Sequence, residues 1–352
     1  MTLLSIAVIL FLVEIFYFFV ANRLNIIDNP NERSSHSRIT LRGGGVIFPI
    51  AVLLYSLFYG LAYPLFLVGL LLISVVSFWD DLRPLPNKIR LSIHFTSVLL
   101  LFVQWTVWYV VEDGGWGAGW AGLERSVSRL PTQWEFPSND PLLVLPLLIV
   151  CAGIVNAYNF MDGINGITGG YSLAVLGVLA WINAFQEEFV DPNLLAVVLV
   201  SLLVFNFFNF RTRAVCFAGD VGSVSIAFVI VFILGALAVQ TNDPLWIVLL
   251  AVYGVDSVLT IIHRLLRREN IFQAHRMHVY QLLANELKIP HLAVSTLYAA
   301  LQIVIGIGYL VCRPLGTVAA WTYCLAVFVV LGLAYLEIKR RWFYLHTAVP
   351  SP

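Results

Sequence analysis

The chain has 352 residues, of which 60% are hydrophobic and only 11% are charged. A soluble domain usually carries about 25% charged residues, so this composition excludes a soluble globular domain and a disordered chain. Twenty Lys and Arg balance twenty Asp and Glu, which excludes the excess positive charge that attracts nucleic acid. The four cysteines form no C-x-x-C pair, which excludes a disulfide scaffold. The composition indicates an all-α, polytopic integral membrane protein.

A membrane-spanning helix needs about 20 mostly apolar residues. The sequence contains about eleven such stretches and no internal repeat, so residues 1–352 are predicted to form a single membrane-embedded domain. The predicted spans are roughly 2–20, 46–62, 64–79, 91–111, 141–158, 169–186, 193–209, 222–239, 245–262, 293–311 and 317–337.

The charges of the loops predict the orientation. No Lys or Arg precedes the first span, so it lacks the basic region of a signal peptide and is predicted to be a retained helix with its N-terminus outside. Eleven spans then leave the C-terminus inside, and inside loops hold 17 of the twenty Lys and Arg. Positively charged loops lie predominantly on the cytoplasmic side, which favours this orientation. The long outside loop 112–140 is predicted to be an interfacial segment.

The predicted inside loops also carry nearly every polar cluster. Apart from Glu337 at the very end of the last span, Glu14 and Asp256 are the only acidic residues within the spans, whereas a transporter is expected to place polar residues near the bilayer midplane. The one-sided pattern indicates an enzyme with its active site at the cytoplasmic face.

The first two inside loops contain candidate groups for binding phosphate and metal. Gly43, Gly44 and Gly45 directly precede a span, so their N–H groups can approach an anion at a helix N-terminus, unless the triplet is only a tight turn. Asp80 and Asp81 end another span, where two carboxylates are unfavourable without a compensating cation or metal. The alternative is a solvated surface pair. The nearby cationic donors are Arg33, His36 and Arg42 in the first loop, and Arg83, Lys88 and Arg90 in the second.

The next two loops add amides and carboxylates. Asn156, Asn159, Asp162 and Asn165 recur every third residue, which can place their side chains on one helical face before glycines end the helix. Asp220 lies between two glycines at a predicted helix start, where a carboxylate is either an N-cap or a metal ligand.

The last long inside loop is rich in Arg and His. His275 and His278 lie near Arg264 and Arg276, and no Cys or Glu completes a zinc site at useful spacing. This mixture favours phosphate binding, the alternative being a basic membrane-surface loop. Together, the loops suit Mg²⁺ and a diphosphate, with a lipid as the second substrate.

The order of these motifs resembles the polyprenyl-phosphate N-acetylhexosamine-1-phosphate transferases, over nearly the whole chain. Two departures from the family pattern are Asn165, which stands at the second acid of the signature, and the absence of adjacent histidines in the last loop. The matching elements are Asp80-Asp81, the signature Asn156–Gly166, the G-D-x-G-S element Gly219–Ser223 and the histidine loop Ala274–Gln281.

The resemblance implies transfer of an N-acetyl-aminosugar 1-phosphate from a UDP-sugar to undecaprenyl phosphate, with release of UMP. It implies Mg²⁺, with Mn²⁺ as an alternative, a bacterial inner-membrane location, and it leaves a homodimer open. The implied roles are catalysis by Asp80, Asp81 and Asp220; metal binding by Asp220, Asp81 and Asp162; nucleotide or diphosphate binding by Asn156, Asn159, Asp162, Asn165 and Arg264; sugar or phosphate contacts from His275, Arg276 and His278; and lipid-phosphate binding by Arg42, Gly43, Gly44, Gly45 and Lys88.

Two rival functions are weighed against this one. A transporter or flippase of lipid-linked sugars would release no UMP. A CDP-alcohol phosphotransferase would need two later acids at four-residue spacing, and after Asp162-Gly163 no acid follows until Glu187, so that class is rejected.

Overall fold

The computed structural model describes residues 2–30, 35, 38–111, 141–271 and 275–347, and this part of the chain is almost entirely helical. The predicted interfacial segment 112–140 lies outside these residues. The long helices are α1 (Leu3–Arg23), α2 (Ile47–Tyr59), α3 (Pro64–Leu82), α4 (Asn87–Val111), α5 (Pro141–Met161), α6 (Ile167–Phe185), α7 (Pro192–Asn209), α8 (Gly219–Thr241), α9 (Ala251–Leu266), α10 (His291–Cys312) and α11 (Thr317–Trp342).

Each predicted apolar stretch overlaps one of these helices, and the all-α polytopic architecture is confirmed. For the stretch 245–262, a 3-10 helix at Pro244–Leu250 leads directly into α9. Within the described residues, eight helices are long and apolar enough to cross a membrane, and shorter apolar helices occupy Gly44–Tyr59 and Leu145–Met161. Eleven crossings with the N-terminus outside stay a prediction.

Helix α8 is the centre of the bundle. It is apolar on every face, and 89% of the residues in its most apolar stretch are buried. A helix of this kind is stable only when other helices surround it, and α2, α3, α4, α5 and α6 all pack against it. The start of α8 is therefore held firmly, and it carries Gly219 and Asp220.

Two pairs of short elements close one end of the bundle. Strand β1 (Ile27–Asp28) pairs antiparallel with β2 (Thr40–Leu41), and Leu41 forms a parallel bridge with Cys216. The segment before α2 and the segment before α8 are therefore side by side. The short helix Val279–Gln281 precedes a π-helical turn at Leu282–Glu286.

Candidate active site

The end of α3 meets the start of α8. The Asp81 carboxylate accepts the backbone N–H of Asp220 at 2.9 Å and that of Val221 at 2.9 Å. The Asp81 side chain is completely buried. It therefore caps a second helix, where the dipole favours a negative charge. The start of α8 therefore compensates the negative charge of Asp81, which the end of α3 alone would disfavour.

Arg42 joins the two carboxylates from the opposite side. Its Nε donates to Asp81 Oδ1 at 2.6 Å, and its NH2 donates to Asp220 Oδ1 at 3.2 Å. The Tyr17 hydroxyl of α1 donates to the Arg42 carbonyl at 2.6 Å and fixes the backbone. The Arg42 side chain is one-third exposed and lines a cavity, so it remains accessible to a ligand.

Asp80 is held by a separate set of contacts. Its Oδ1 accepts the Leu85 N–H at 2.6 Å, and its Oδ2 lies 2.8 Å from Arg90 NH1. The other Arg90 nitrogen lies 3.7 Å from Asp220 Oδ2. Arg90 therefore supplies the compensating charge, whereas Lys88 is exposed to solvent.

The glycine triplet allows two chain segments to touch. A Cβ on Gly45 would overlap the Gly222 backbone, and Gly43 adopts a φ of +81°, which favours glycine. Gly44 N–H donates to Phe217 O at 2.9 Å and Gly45 N–H to Ala218 O at 3.1 Å. The expectation that these two N–H groups are open to an anion is therefore wrong, and their role is close packing of backbone.

The signature segment after α5 contributes a buried carboxylate. Asp162 Oδ1 accepts a hydrogen bond from the Thr168 hydroxyl at 2.6 Å. Burial raises the pKa of Asp162 to about 6, and the Thr168 bond opposes that shift. Asn156, one and a half turns earlier, donates to Ala152 O at 2.8 Å within its own helix. Asn156 thus has a partner within its own helix, whereas the other three polar residues of the stripe, Asn159, Asp162 and Asn165, line one cavity.

The contacts of Asn165 explain why an amide stands at the second acid position of the family signature. Its amide nitrogen donates to Arg211 O at 2.9 Å and approaches Thr212 O at 3.4 Å. An ionised carboxylate cannot donate a hydrogen bond. The amide therefore joins the signature segment to the loop between α7 and α8, which an aspartate at this position would repel.

A cavity of about 190 Å³ opens where these segments meet. Five of its lining residues were predicted from the sequence: Arg42, Asn159, Asp162, Asn165 and Asp220. Several others were missed, although Gln281 is the last residue of the histidine loop and Phe217 stands two residues before the G-D-x-G-S element. The remaining lining residues are Asp28, Ser35, Gly163, Ile164, Asn209, Phe217, Gly219, Gln281 and His291.

The histidine loop is placed differently from the expectation. Arg264 is buried and donates to Asn270 O at 2.6 Å and Ile271 O at 3.3 Å, so it folds the loop. His278 is also buried, with Nδ1 3.4 Å from Asp256 Oδ1. Among the described residues that line the cavity, the loop contributes Gln281.

His275 and Arg276 lie nearer the surface of the same loop. Arg276 NH2 lies 3.1 Å from Glu286 Oε1. Burial, and secondly the charge of His278, lower the pKa of His275 to about 3. His275 is therefore neutral at physiological pH. The sugar-contact role predicted for these residues stays a prediction.

The carboxylates of the cavity fit Mg²⁺ in part. Mg²⁺ is usually held by one or two carboxylates together with water and substrate phosphates. Asp220 and Asp162 both line the cavity and meet this description. Asp81 does not, because both of its oxygens accept backbone N–H groups and its side chain is fully buried. The described residues hold no cluster of three or more His, Cys, Asp and Glu that forms a metal site by itself.

Comparison with known proteins gives consistent matches. The model of glycosyl transferase family 4 matches residues 63–238, half of the chain. A probable undecaprenyl-phosphate N-acetylglucosaminyl 1-phosphate transferase of Bacillus subtilis (strain 168) is 26% identical over 74% of this chain and 70% of its own length. An undecaprenyl-phosphate alpha-N-acetylglucosaminyl 1-phosphate transferase of Escherichia coli (strain K12) is 26% identical over 93% and 88%. A phospho-N-acetylmuramoyl-pentapeptide-transferase of Symbiobacterium thermophilum is 31% identical over 63% and 66%.

Proposed function

The chain belongs to glycosyl transferase family 4, and from this premise we propose that it transfers an N-acetyl-aminosugar 1-phosphate from a UDP-sugar to undecaprenyl phosphate. A terminal oxygen of the lipid phosphate attacks the sugar-linked phosphorus. The bond between that phosphorus and the bridging oxygen breaks, which gives undecaprenyl-diphosphate-sugar and UMP. The names of the relatives support the lipid acceptor and the transfer of a sugar phosphate.

The observation that carries the proposal is the meeting of Arg42, Asp162 and Asp220 in one cavity at the end of a membrane-embedded bundle. Such a cavity suits a diphosphate, because the guanidinium donates in a planar fork to phosphate oxygens. Asp220 and Asp162 would hold Mg²⁺, which when bound would neutralise charge developing on UMP. Asn159 adds an amide to the same wall.

Asp80 acts in this proposal by holding Arg90. Both Asp80 oxygens already have partners, and Arg90 in turn points its second nitrogen toward Asp220. The lipid phosphate ionises near neutral pH, so its attacking oxygen needs little help from a base. Arg42 and Arg90 then orient negatively charged oxygens beside Asp220.

The cellular setting follows from the acceptor. We place the protein in the bacterial inner membrane with the cavity on the cytoplasmic side, where 17 of the twenty Lys and Arg are predicted to lie. There it would start O-antigen or a related cell-surface polysaccharide.

Release of UMP tests the proposal against the rival function. Purified protein would be incubated with undecaprenyl phosphate, Mg²⁺ and a panel of UDP-sugars. We expect UMP release that depends on the lipid, on Mg²⁺ and on one or a few N-acetyl-aminosugar donors. A flippase of lipid-linked sugars would instead release no UMP with any donor, and that outcome would remove the transferase assignment.

A further inference from the structure

The buried acid of α9 holds the histidine loop in place. Asp256 is almost completely buried, and its carboxylate accepts the N–H of Val279 at 2.9 Å and that of Tyr280 at 3.3 Å. These are the first two N–H groups of the short helix Val279–Gln281. A carboxylate at this position satisfies donors that the helix leaves open.

Other groups around Asp256 fix its orientation. The Tyr298 hydroxyl donates to its Oδ2 at 2.7 Å, and Thr260 Oγ1 lies 3.4 Å from its Oδ1. His278 Nδ1 lies at 3.4 Å. A polar group surrounded by this many donors inside a membrane-embedded bundle has a defined task, because an unneeded charge there is costly. Its task is to position the short helix that begins at Val279.

The residues that Asp256 holds reach the signature segment. The Tyr280 hydroxyl donates to Phe160 O at 3.0 Å, at the end of α5. Tyr280 also packs on Gly163, where a Cβ would overlap the hydroxyl. Displacement of Asp256 would therefore also displace the segment that carries Asp162.

Gln281 is the next residue, and its side chain lines the cavity. Its Oε1 accepts the His278 N–H at 3.3 Å. The amide nitrogen also donates to the Tyr280 hydroxyl, and the two bonds together orient the carboxamide. An amide nitrogen carries two donors and an amide oxygen two lone pairs, so one donor and one lone pair remain for a ligand.

We propose that Gln281 recognises an amide edge of the sugar-nucleotide donor and that Asp256 is the residue that positions it. The inference rests on the proposed function and deepens it. A carboxamide presents a donor beside an acceptor, which complements another amide. A UDP-N-acetyl-aminosugar carries two such edges, the uracil imide and the acetamido group of the sugar.

Two substitutions separate ligand contact from loop folding. Gln281→Glu retains an oxygen for the His278 N–H but loses the amide donor, and Gln281→Ala loses both. We expect each to raise the KM for the donor about 3- to 10-fold, the effect of one hydrogen bond, with the KM for undecaprenyl phosphate unchanged. Gln186→Ala, an exposed glutamine at the far end of α6, is the matched control. An unchanged donor KM in both Gln281 variants would overturn the inference.

Inhibition by UMP identifies the edge. If UMP inhibition weakens in proportion to the donor KM, Gln281 reads uracil; if UMP inhibits both variants as it inhibits the wild type while the donor KM rises, Gln281 reads the acetamido group. Either result supports the amide contact. The wild-type reaction is measured alongside, and its absence would count against the proposed function instead.

Asp256→Asn tests the positioning role. We expect the same rise in donor KM, and we expect Gln281→Ala to add little to it in the double variant, because both changes act on one contact. Simple destabilisation would lower the active fraction, and so kcat, without moving either KM. If Asp256→Asn does not fold, Tyr298→Phe removes one donor to Asp256 and keeps the ring. It should raise the donor KM by a smaller factor and leave the KM for undecaprenyl phosphate unchanged. A fall in kcat alone, or fully additive effects, would contradict the positioning role.

Discussion

The carboxylate of Asp81 accepts the backbone N–H of Asp220, so one candidate catalytic acid sets the position of another. The Asp81 side chain is fully buried and holds the start of α8, whereas the Asp220 side chain is partly exposed and lines the cavity. The three candidate catalytic acids therefore have different surroundings, and substitutions of them should differ in their effects on stability and on activity.

Asp81→Asn should lower both stability and activity. An asparagine accepts at one oxygen only, so one N–H at the start of α8 loses its acceptor, which costs about 1–3 kcal/mol of unfolding free energy.

Asp220→Asn should change the unfolding free energy by less than about 1 kcal/mol and lower the rate by roughly 100-fold or more. It should also raise the Mg²⁺ concentration for half-maximal rate. Thermal unfolding in detergent and UMP release are the two measurements.

The contrast between these variants is the critical result. Equal unfolding temperatures for Asp81→Asn and the wild type would show that the cap is unimportant. Normal turnover of Asp220→Asn at the usual Mg²⁺ concentration would remove Asp220 from the proposed metal site.

Gly45→Ala should separate the starts of α2 and α8. Its Cβ has no room beside the Gly222 backbone, so the helices must move apart and Arg42 must shift from its carboxylates. We expect a loss of about 1–3 kcal/mol, typical of overpacking, and a large fall in turnover. Gly177→Ala is the matched control: a Cβ there meets nothing within 4 Å, and alanine in this helix should be neutral or stabilising. Equal behaviour of the two variants would refute the close-contact explanation.

Asn165→Asp restores the family's acid and should nevertheless be harmful. The new carboxylate would face the Arg211 carbonyl that the amide now contacts, and the buried repulsion should cost about 1–3 kcal/mol. The loss should shrink at low pH, where a protonated carboxyl can donate. Unfolding temperatures of this variant and the wild type at pH 5 and pH 8 give the comparison. A more stable Asp variant at pH 8 would show that the contact to Arg211 is unimportant.

His275 should contribute to acid sensitivity. Its pKa lies near 3 in the folded protein against an ordinary 6.5, so between these values the unfolded chain binds a proton that the folded chain does not. Stability from this group is therefore complete above pH 6.5 and decreases as the pH falls toward 3. His275→Gln should flatten the dependence of unfolding temperature on pH in that window. An identical slope in variant and wild type would mean that His275 titrates normally when folded.

The predicted orientation is tested by labelling. In a background without the native cysteines, Arg213→Cys lies at the cavity end and Gln186→Cys at the opposite end, and both positions are exposed. An impermeant thiol reagent added to intact cells should modify only Gln186→Cys. Labelling of Arg213→Cys alone would reverse the topology and move the cavity to the outer face.

The helices were predictable because their apolar stretches are long and each ends at polar or glycine residues, as at Gly219-Asp220. The cavity was predictable in part for the same reason: Arg42, Asp162 and Asp220 stand at helix ends that the alternation of spans brings to one side of the bundle.

The partners of buried side chains were not predictable, because they come from distant parts of the chain. Nothing local to Asp81 indicates that it caps a helix 139 residues later. Arg264 and His278 look like ligand-binding residues by type, yet each satisfies a group of its own protein. Gln281 has no charge and no unusual spacing, so only its direction in the folded loop reveals it.

The separation of these partners also sets the order in which the site is built. Arg42 and Asp81 are 39 residues apart, but Asp220 lies 178 residues beyond Arg42. Synthesis proceeds from the N-terminus, so the first pair can form as soon as α3 has entered the membrane, and the third member arrives only with α8. The proposed site is therefore incomplete until well over half of the chain has been inserted.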